Sequence, residues 1–338
     1  MILLDNEPQA RNQHFGASAD AIAQFVPLHS VRLDGAGQFM GSGVMVFCRS
    51  SPPCVYILTA KHNLAILGEE YDLDVPAWNN ANDISTLHKK FLETVTIRAG
   101  GHNARISNIF YFGTNWTYDV CCLTTSDEVL YGLWRDVGSQ LAPLVWNAND
   151  HQAVGRRETL LGLFAQDGQT QTLSQANKNQ LRNRYFFVQT GFGCNAYLAG
   201  PRKQDRVNPD ARGDLNHRHL TLTDYWDVAH DYDDEKDVTS VFHCMAAAGA
   251  SEAATSARGD SGGAVFAREK NSNGWVLAGV NLGANMHRDA NNAIHTKPKA
   301  ENNVFTVLDR RVLDRTDMHT VLGGQIVSAD QDEAFAGF

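Results

Sequence analysis

The segment Gly259-Asp260-Ser261-Gly262-Gly263 is the clearest place in this sequence for covalent chemistry. It leads into the apolar run Ala264 to Phe266, so the serine is expected in a tight glycine-flanked turn that exposes its hydroxyl. A serine hydroxyl is a weak nucleophile unless a neighbouring base takes its proton and a third group orients that base. The sequence is therefore expected to supply a base and an acid for Ser261.

The context of one histidine and one aspartate marks them as these partners. The chain has 13 histidines, and His62 stands out because it follows the strand-like run Tyr56 to Ala60. Asp119 leads the otherwise apolar stretch Val120 to Leu123. Burying a carboxylate without a partner is costly, so Asp119 must be paired. We predict His62 as the general base and Asp119 as the acid that orients it.

The composition argues against several classes of function. A chain of 338 residues can bury a sizeable core. Its 29 Lys and Arg against 38 Asp and Glu give a net charge of −9, which argues against a general nucleic-acid binder. The sequence contains no run of about 18 apolar residues, so no membrane-spanning helix is expected. Asp5 interrupts the first apolar residues, so no signal peptide is expected and a cytoplasmic location is predicted.

The six cysteines show no metal-ligand spacing such as CxxC. Cys121 and Cys122 are expected as small core residues. Cys48 and Cys54 flank a loop and could face each other across a hairpin, which leaves a disulfide open there. The acidic residues of segment 69–74 do not have the spacing of a calcium loop, so a solvated loop is favoured. We predict no metal and no cofactor.

Many short strand-like stretches separated by turn residues predict an all-β fold. The Asn-Gly pair at 273–274 predicts a hairpin. Segments 18–25 and 310–322 are expected to be helical, and segments 63–90 and 191–237 are expected to be insertions, with surface loops at 200–206 and 231–237. The predicted strands are 26–33, 41–47, 55–60, 91–98, 104–112, 119–124, 159–165, 184–190, 238–245, 264–269, 275–280 and 304–308.

Three of these segments together resemble a known family. Thr59-Ala60-Lys61-His62, Tyr118-Asp119-Val120 and Gly259-Asp260-Ser261-Gly262-Gly263 resemble, in chain order, the signature segments of the trypsin/chymotrypsin-like serine peptidases, the S1-type members of the PA clan. Gly41-Ser42-Gly43-Val44 resembles the strand before the histidine, as in bacterial members. Val280-Asn281-Leu282-Gly283 resembles the edge strand that pairs with substrate.

The resemblance implies a fold and a division of the chain. The fold would be two antiparallel six-stranded β-barrels with the active site in the cleft between them, plus a C-terminal helix. Residues 1–24 would form an N-terminal arm, 25–137 the first barrel, 138–309 the second barrel, and 310–338 the C-terminal helix and tail.

The resemblance also implies roles for the site residues. Ser261 would attack a peptide carbonyl, His62 would act as general base and then general acid, and Asp119 would fix the imidazole tautomer. The backbone N–H groups of Gly259 and Ser261 would form the oxyanion hole. Asp260 would support that hole, although no Ile-Val-Gly-Gly-like segment supplies the new N-terminus with which the digestive members pair this aspartate. Another cation, an unrecognised cleavage or a partner protein are the alternatives.

By the same resemblance, Thr255 would lie at the base of a specificity pocket, because it occupies the position where other members carry an acid. Asn281, Leu282 and Gly283 would form one wall, with Asn303 near the opposite wall. Cleavage after Lys or Arg is therefore not favoured.

Two disulfides of secreted members are also missing. Asn63 and Met40 stand where one of them would form, and Ala257 stands at the other. These losses favour an intracellular protein.

The leading hypothesis is a serine endopeptidase that acts on protein or peptide substrates, without nucleic acid or membrane as a partner. A regulatory protein partner is an open alternative. A second hypothesis is a catalytically silent or partner-activated peptide-binding module on the same fold. A virus-type processing protease is a third hypothesis, with little in the sequence to support it.

Overall fold

The structure, a computed structural model, describes residues 2–3, 30–35, 38–50, 53–64, 81–110, 119–133, 160, 163, 174–193, 195–199, 204–208, 216–232, 235–246, 254–255, 259–271, 275–285 and 302–308. Within these residues the chain is mostly β. The strands are β1 (Ile2–Leu3), β2 (Ser30–Gly35), β3 (Gln38–Ser50), β4 (Pro53–Thr59), β5 (Val95–Ala99), β6 (His102–Arg105), β7 (Asn108–Phe110), β8 (Cys121–Thr125), β9 (Tyr185–Gly191), β10 (Asn195–Ala199), β11 (Gln204–Asn208), β12 (Asn216–Tyr232), β13 (Glu235–Ala246), β14 (Ala254–Thr255), β15 (Ala264–Glu269), β16 (Trp275–Asn285) and β17 (Asn302–Val307). The two longer helices in this part of the chain are α1 (Ala81–Thr94) and α2 (Gln175–Arg184).

The first half of the chain forms a seven-stranded antiparallel sheet in the order β6-β5-β2-β3-β4-β8-β7. Strand β5 shows the period of a half-buried strand, because Val95, Ile97 and Ala99 are buried while Thr96 and Arg98 point away from the core. The buried face packs into one apolar cluster. That cluster includes Val31, Leu33, Ile57, Phe91, Ile109 and Leu123.

The second half forms a closed antiparallel barrel in the order β12-β13-β17-β16-β15-β9. Its core includes Phe187, Val265, Ala278 and Phe305, all at most 1% exposed. A separate four-stranded sheet has the order β11-β10-β1-β14, in which Ile2 and Leu3 run parallel to β10. Strand β4 leads into the His62 segment, and β15 follows the segment 259–263, which is hydrogen-bonded to Asn281 of β16.

The prediction of a mainly β fold is confirmed. The closed six-stranded barrel of the second half and the seven-stranded sheet of the first half are observed, and the arrangement as two six-stranded barrels stays a prediction. Strands β15 and β16 pair as an antiparallel hairpin with Arg268 opposite Trp275, and the Asn-Gly pair predicted to form its turn lies outside the described residues. None of the helices in the described part of the chain is long and apolar enough to cross a membrane.

The structure departs in part from three strand predictions. Residues 91–94 continue α1, and the strand begins only at Val95, because Ile84, Leu87 and Phe91 follow a helical rather than an alternating period. The stretch 104–112 is interrupted at 106–107 and yields two short strands. Leu160 and Leu163 are helical.

The sequence predicts the segment 191–237 as a surface insertion, but part of it belongs to the barrel. Its second part belongs to a long hairpin of β12 and β13, and both strands also pair with other barrel strands. The expected loop 231–237 is the tip of that hairpin, where Tyr232 pairs with Glu235. The charged residues of 231–237 made the strand pattern difficult to recognise in the sequence.

The register of the first hairpin separates two cysteines. Cys48 pairs with Val55 and Cys54 pairs with Arg49, so the two cysteines are not direct partners across the hairpin. Cys121 and Cys122 are buried and form no disulfide. The helices expected at 18–25 and 310–322 and the acidic residues of 69–74 lie outside the described residues.

Candidate active site

His62 lies just beyond the end of β4. The strand ends at Thr59, and the chain then turns into a single helical turn at 62–64. Hydrogen bonds from Asn63 N to Ala60 O (3.2 Å) and from Leu64 N to Lys61 O (3.0 Å) close this turn. The turn leaves the His62 side chain 12% exposed, partly buried but open on one side.

The Asp119 carboxylate contacts His62 at two points. Its Oδ1 accepts the His62 backbone N–H at 2.8 Å, and its Oδ2 contacts the ring Nδ1. An ionised carboxylate only accepts hydrogen bonds, so Nδ1 must carry the proton. Nε2 of the neutral ring is therefore an acceptor, which is the form that a general base requires.

The surroundings of this pair set the pKa of His62. Burial lowers it, but the charge of Asp119 and the hydrogen bond from the ring to its carboxylate outweigh burial and raise the pKa above the ordinary value. Asp119 itself is only 1% exposed. A buried carboxylate paired in this way stabilises an imidazolium, the species that forms when the base takes a proton.

The segment 259–263 forms a tight loop anchored to β16. Gly262 N donates to Asn281 O at 2.7 Å, and Asn281 N donates to Gly263 O at 2.7 Å. Gly259 and Gly262 have φ angles of 94° and 84°, which other residues rarely adopt. A Cβ on Gly262 would lie 2.0 Å from the carbonyl oxygen of Ser42, so the loop requires glycine there.

Two donors from the first half of the chain hold the Ser261 backbone. Ser42 N and the Asn63 side-chain Nδ2 both donate to Ser261 O at 2.9 Å. Asn63 directly follows His62, so one short segment carries the candidate base and also fixes the candidate nucleophile. The structure therefore brings the segments of His62, Asp119 and Ser261 together.

The Ser261 side chain has a specific orientation. Its hydroxyl donates to the carbonyl oxygen of Leu282 at 2.9 Å. A hydroxyl has one hydrogen, so in this conformation the proton is directed to β16 and not to His62. A rotation about the Ser261 Cα–Cβ bond, which moves the side chain between staggered rotamers, redirects it.

Asp260 points away from the loop into a turn at the end of β9. It is 1% exposed, and its Oδ1 accepts the backbone N–H of Gly193 at 2.9 Å. A Cβ on Gly191 or Gly193 would lie 2.4 Å or 2.6 Å from that oxygen. The turn 191–193 can therefore approach the carboxylate only because both residues are glycine.

The residues predicted to line a specificity pocket occupy different settings. Asn281 is fully buried, and its Nδ2 donates to Asp260 O at 2.9 Å, so it supports the loop from behind. Leu282 is 6% exposed and supplies the acceptor for Ser261. Thr255 lies in β14 paired with Ile2, Gly283 pairs with Val304, and Asn303 pairs with Ala284. Substrate contact by these residues stays a prediction.

The sequence reading did not assign the side chain of Ser42 or the turn 191–193 to the site. Ser42 Oγ donates to Gly259 O at 2.7 Å and accepts from Phe192 N at 2.8 Å. The available signals were two Gly-x-Gly patterns, Gly41-Ser42-Gly43 within β3 and Gly191-Phe192-Gly193 at the end of β9, because glycine pairs of this kind mark close approach of backbones.

Comparison with solved structures gives similarities at low identity. The inactive form of the Rv3671c protease is 14% identical, with 94% of this chain and 98% of that chain covered and a TM-score of 0.42. The active form of the Rv3671c protease from M. tuberculosis is 13% identical, with 94% and 89% covered and a TM-score of 0.40. No protein-family model matches the chain. No curated protein matches it either.

Proposed function

We propose that this protein is a serine endopeptidase of the trypsin/chymotrypsin-like type. It would hydrolyse peptide bonds through His62, Asp119 and Ser261 and an acyl-enzyme intermediate. The observation that carries the proposal is the His62–Asp119 contact, made by a segment whose next residue, Asn63, also binds the Ser261 carbonyl. Base, orienting acid and nucleophile are thus parts of one connected structure, as nucleophilic catalysis by serine requires.

The chemistry follows from these positions. His62 Nε2 takes the proton of Ser261 Oγ, which forms a bond to the carbonyl carbon of a peptide. The N–H groups of Gly259 and Ser261 bind the resulting oxyanion. The protonated His62 gives its proton to the leaving amine, and the C–N bond breaks. A water molecule then hydrolyses the acyl-enzyme by the same steps.

No cofactor is needed for this cycle, and the substrates are proteins or peptides. The preference at the cleavage site belongs to the same proposal. Thr255, which carries no charge, is proposed at the base of the pocket, so polar or medium-sized apolar side chains would fit better than Lys or Arg. Cytoplasmic location is likewise part of the proposal.

A fluorophosphonate probe tests the proposal directly, because it phosphonylates only activated serines. Labelling of the wild type that is lost in Ser261→Ala is the expected result. Ser256→Ala is a matched control, since it removes a nearby serine of the same segment that has no part in the proposed chemistry. Cleavage of a peptide library, read by mass spectrometry, then gives the substrate preference. Labelling retained in Ser261→Ala would contradict the assignment.

One observation favours a second candidate, a peptide-binding module activated by a partner. The Ser261 hydroxyl donates to Leu282 O, so in this conformation its proton is not directed to His62. An enzyme that waits for a partner or substrate would rest in such a state. Weak labelling of the protein alone that rises when peptides are added would favour this candidate. If the protein is labelled under no condition, both the peptidase and its partner-activated form are excluded.

A further inference from the structure

The buried side chain of Ser42 lies where the two larger sheets meet the nucleophile loop. Ser42 is 1% exposed. Its Oγ donates to Gly259 O at 2.7 Å and accepts the backbone N–H of Phe192 at 2.8 Å. Its own backbone N–H donates to Ser261 O at 2.9 Å. One residue of β3 therefore contacts the loop at two carbonyls and the turn 191–193 at an amide.

The two carbonyls that Ser42 binds belong to the two residues of the proposed oxyanion hole. Gly259 and Ser261 are the residues whose N–H groups form the proposed oxyanion hole, and Ser42 holds the carbonyl group of each. Because a peptide chain in a tight loop has few free dihedrals, fixing both carbonyls restricts where the two N–H groups point. Gly259, with φ at 94°, has no side chain of its own to restrict its rotation.

The turn 191–193 reaches the loop at a second point. Two consecutive amides leave this turn, from Phe192 to Ser42 Oγ and from Gly193 to Asp260 Oδ1 at 2.9 Å. The residues that directly follow β9 thus hold both Ser42 and Asp260. Ser42 also accepts at its carbonyl a hydrogen bond from Thr59 Oγ1, at 2.7 Å, close to the His62 segment.

We propose that Ser42 is a positioning residue whose hydroxyl links the turn 191–193 to Gly259 and thereby holds the oxyanion hole in its working geometry. This inference rests on the proposed peptidase function and adds a residue to that mechanism. Ser42 does not touch the substrate in this role. It acts through the Gly259 carbonyl, from which the Gly259 N–H is separated only by the φ and ψ angles of that residue.

Replacement of the hydroxyl gives a measurable expectation. Loss of a direct oxyanion-hole donor lowers the rate by about 10²–10³. Loss of a group that positions a donor should cost less, so Ser42→Ala is expected to slow fluorophosphonate labelling by roughly tenfold to a hundredfold. With a cleaved peptide from the library, kcat should fall by a similar factor while KM stays within about twofold, because the oxyanion exists only in the transition state.

The chain offers a matched control in Ser30. It is 2% exposed, and its Oγ donates to Thr190 Oγ1 at 3.3 Å, so it also joins the first sheet to β9. Its hydroxyl is hydrogen-bonded to β9 and not to the loop 259–263. Ser30→Ala should lower thermal stability by less than Ser42→Ala, because it loses one long hydrogen bond and not two shorter ones, and it should leave the labelling rate within about twofold of wild type.

A second variant and a pH profile distinguish a loss of oxyanion-hole positioning from a general loosening of the active site. Ser42→Cys keeps the size of the side chain but replaces the hydroxyl with a weak donor, so it should slow labelling while the fold stays intact by circular dichroism. The midpoint of the labelling rate against pH, which reports His62, should not move in either Ser42 variant. A general loosening of the site would shift that midpoint.

The outcomes are distinguishable. If the wild type is labelled at Ser261 and both Ser42 variants react at the rate of Ser30→Ala, the inference is overturned and the peptidase proposal stands. A shifted pH midpoint in the Ser42 variants also overturns it, because the effect would then act on the base. If the wild type is never labelled at Ser261, the proposed function itself fails.

Discussion

The carboxylate of Asp119 binds both the backbone and the ring of His62. Oδ1 accepts the backbone N–H at 2.8 Å, and Oδ2 contacts the ring Nδ1. The first contact sets where the histidine segment lies, and the second sets which ring nitrogen carries the proton. Position and protonation of the base therefore depend on one side chain.

Asp119→Asn separates these two effects. The amide oxygen of asparagine can still accept the backbone N–H of His62, but its NH₂ group cannot accept the Nδ1 proton. The ring then favours the tautomer with the proton on Nε2, which cannot act as a base. We expect the rate of Ser261 labelling to fall by about 10⁴ with the fold unchanged. A loss of less than tenfold, with native circular dichroism, would contradict the role of Asp119.

The pKa of His62 predicts the pH dependence of the reaction. Only the neutral ring accepts the proton of Ser261, and Asp119 raises the pKa of His62 above its ordinary value despite burial. The labelling rate of the wild type should therefore increase with pH, with a midpoint above that of a free histidine. In Asp119→Asn the residual rate should have a lower midpoint, because burial then acts without the opposing charge. The same or a higher midpoint in the variant would contradict this account.

The clash at Gly262 predicts a large loss of stability on substitution. In Gly262→Ala the new Cβ would meet the Ser42 carbonyl oxygen at 2.0 Å and Thr59 Oγ1 at 2.2 Å. Gly101→Ala is a matched control, since Gly101 has a similar φ of 81° but an added Cβ meets nothing within 4 Å. The control should cost about 1–2 kcal/mol, the cost of a left-handed residue alone.

The Gly262 variant should cost more than the control and should also lose Ser261 labelling, because the loop must move. Urea denaturation of both variants gives the comparison. Equal losses in the two variants would show that the close contact between Gly262 and Ser42 is absent in solution.

The sequence was most informative where chemistry restricts residue types. Ser261, His62 and Asp119 could be singled out because a serine nucleophile needs a base and a buried acid needs a partner. Ser42 could not, because a serine in a strand has no recognisable demand for a particular partner. Its role depends on a contact with Phe192, 150 residues away in the chain, and the Gly-x-Gly pattern around Ser42 marks a close approach without identifying the partner.

The strand pattern was informative where a face is buried and misleading where it is not. β5 and β15 were recognised by alternation or by a continuous apolar run next to a turn. The charged tip of the β12–β13 hairpin looked like a loop because a run of charged residues such as 231–237 is typical of a solvated loop. Residues 91–94 looked like a strand because a short apolar run fits both periods, and only the length of α1 distinguishes them.

Two neighbouring residues of β9 give a direct test of the barrel register. Phe187 is 1% exposed and belongs to the core of the barrel, whereas Phe186 is 39% exposed on the outer face. Phe187→Ala should lower the free energy of unfolding by about 3–5 kcal/mol, since it leaves a cavity in the core. Phe186→Ala should cost about 1 kcal/mol or less, because its ring is partly in solvent and lies near the exposed-face cations of Arg268 and Lys270, each 5.4 Å away.

Both variants can be measured by urea denaturation followed by circular dichroism. The difference between them matters more than either value, because successive residues of a strand point to opposite faces. A shift of one residue in the pairing of β9 with β15 would exchange the two side chains. The larger loss would then occur at Phe186, and the assignment of the inner and outer faces of this barrel would be wrong.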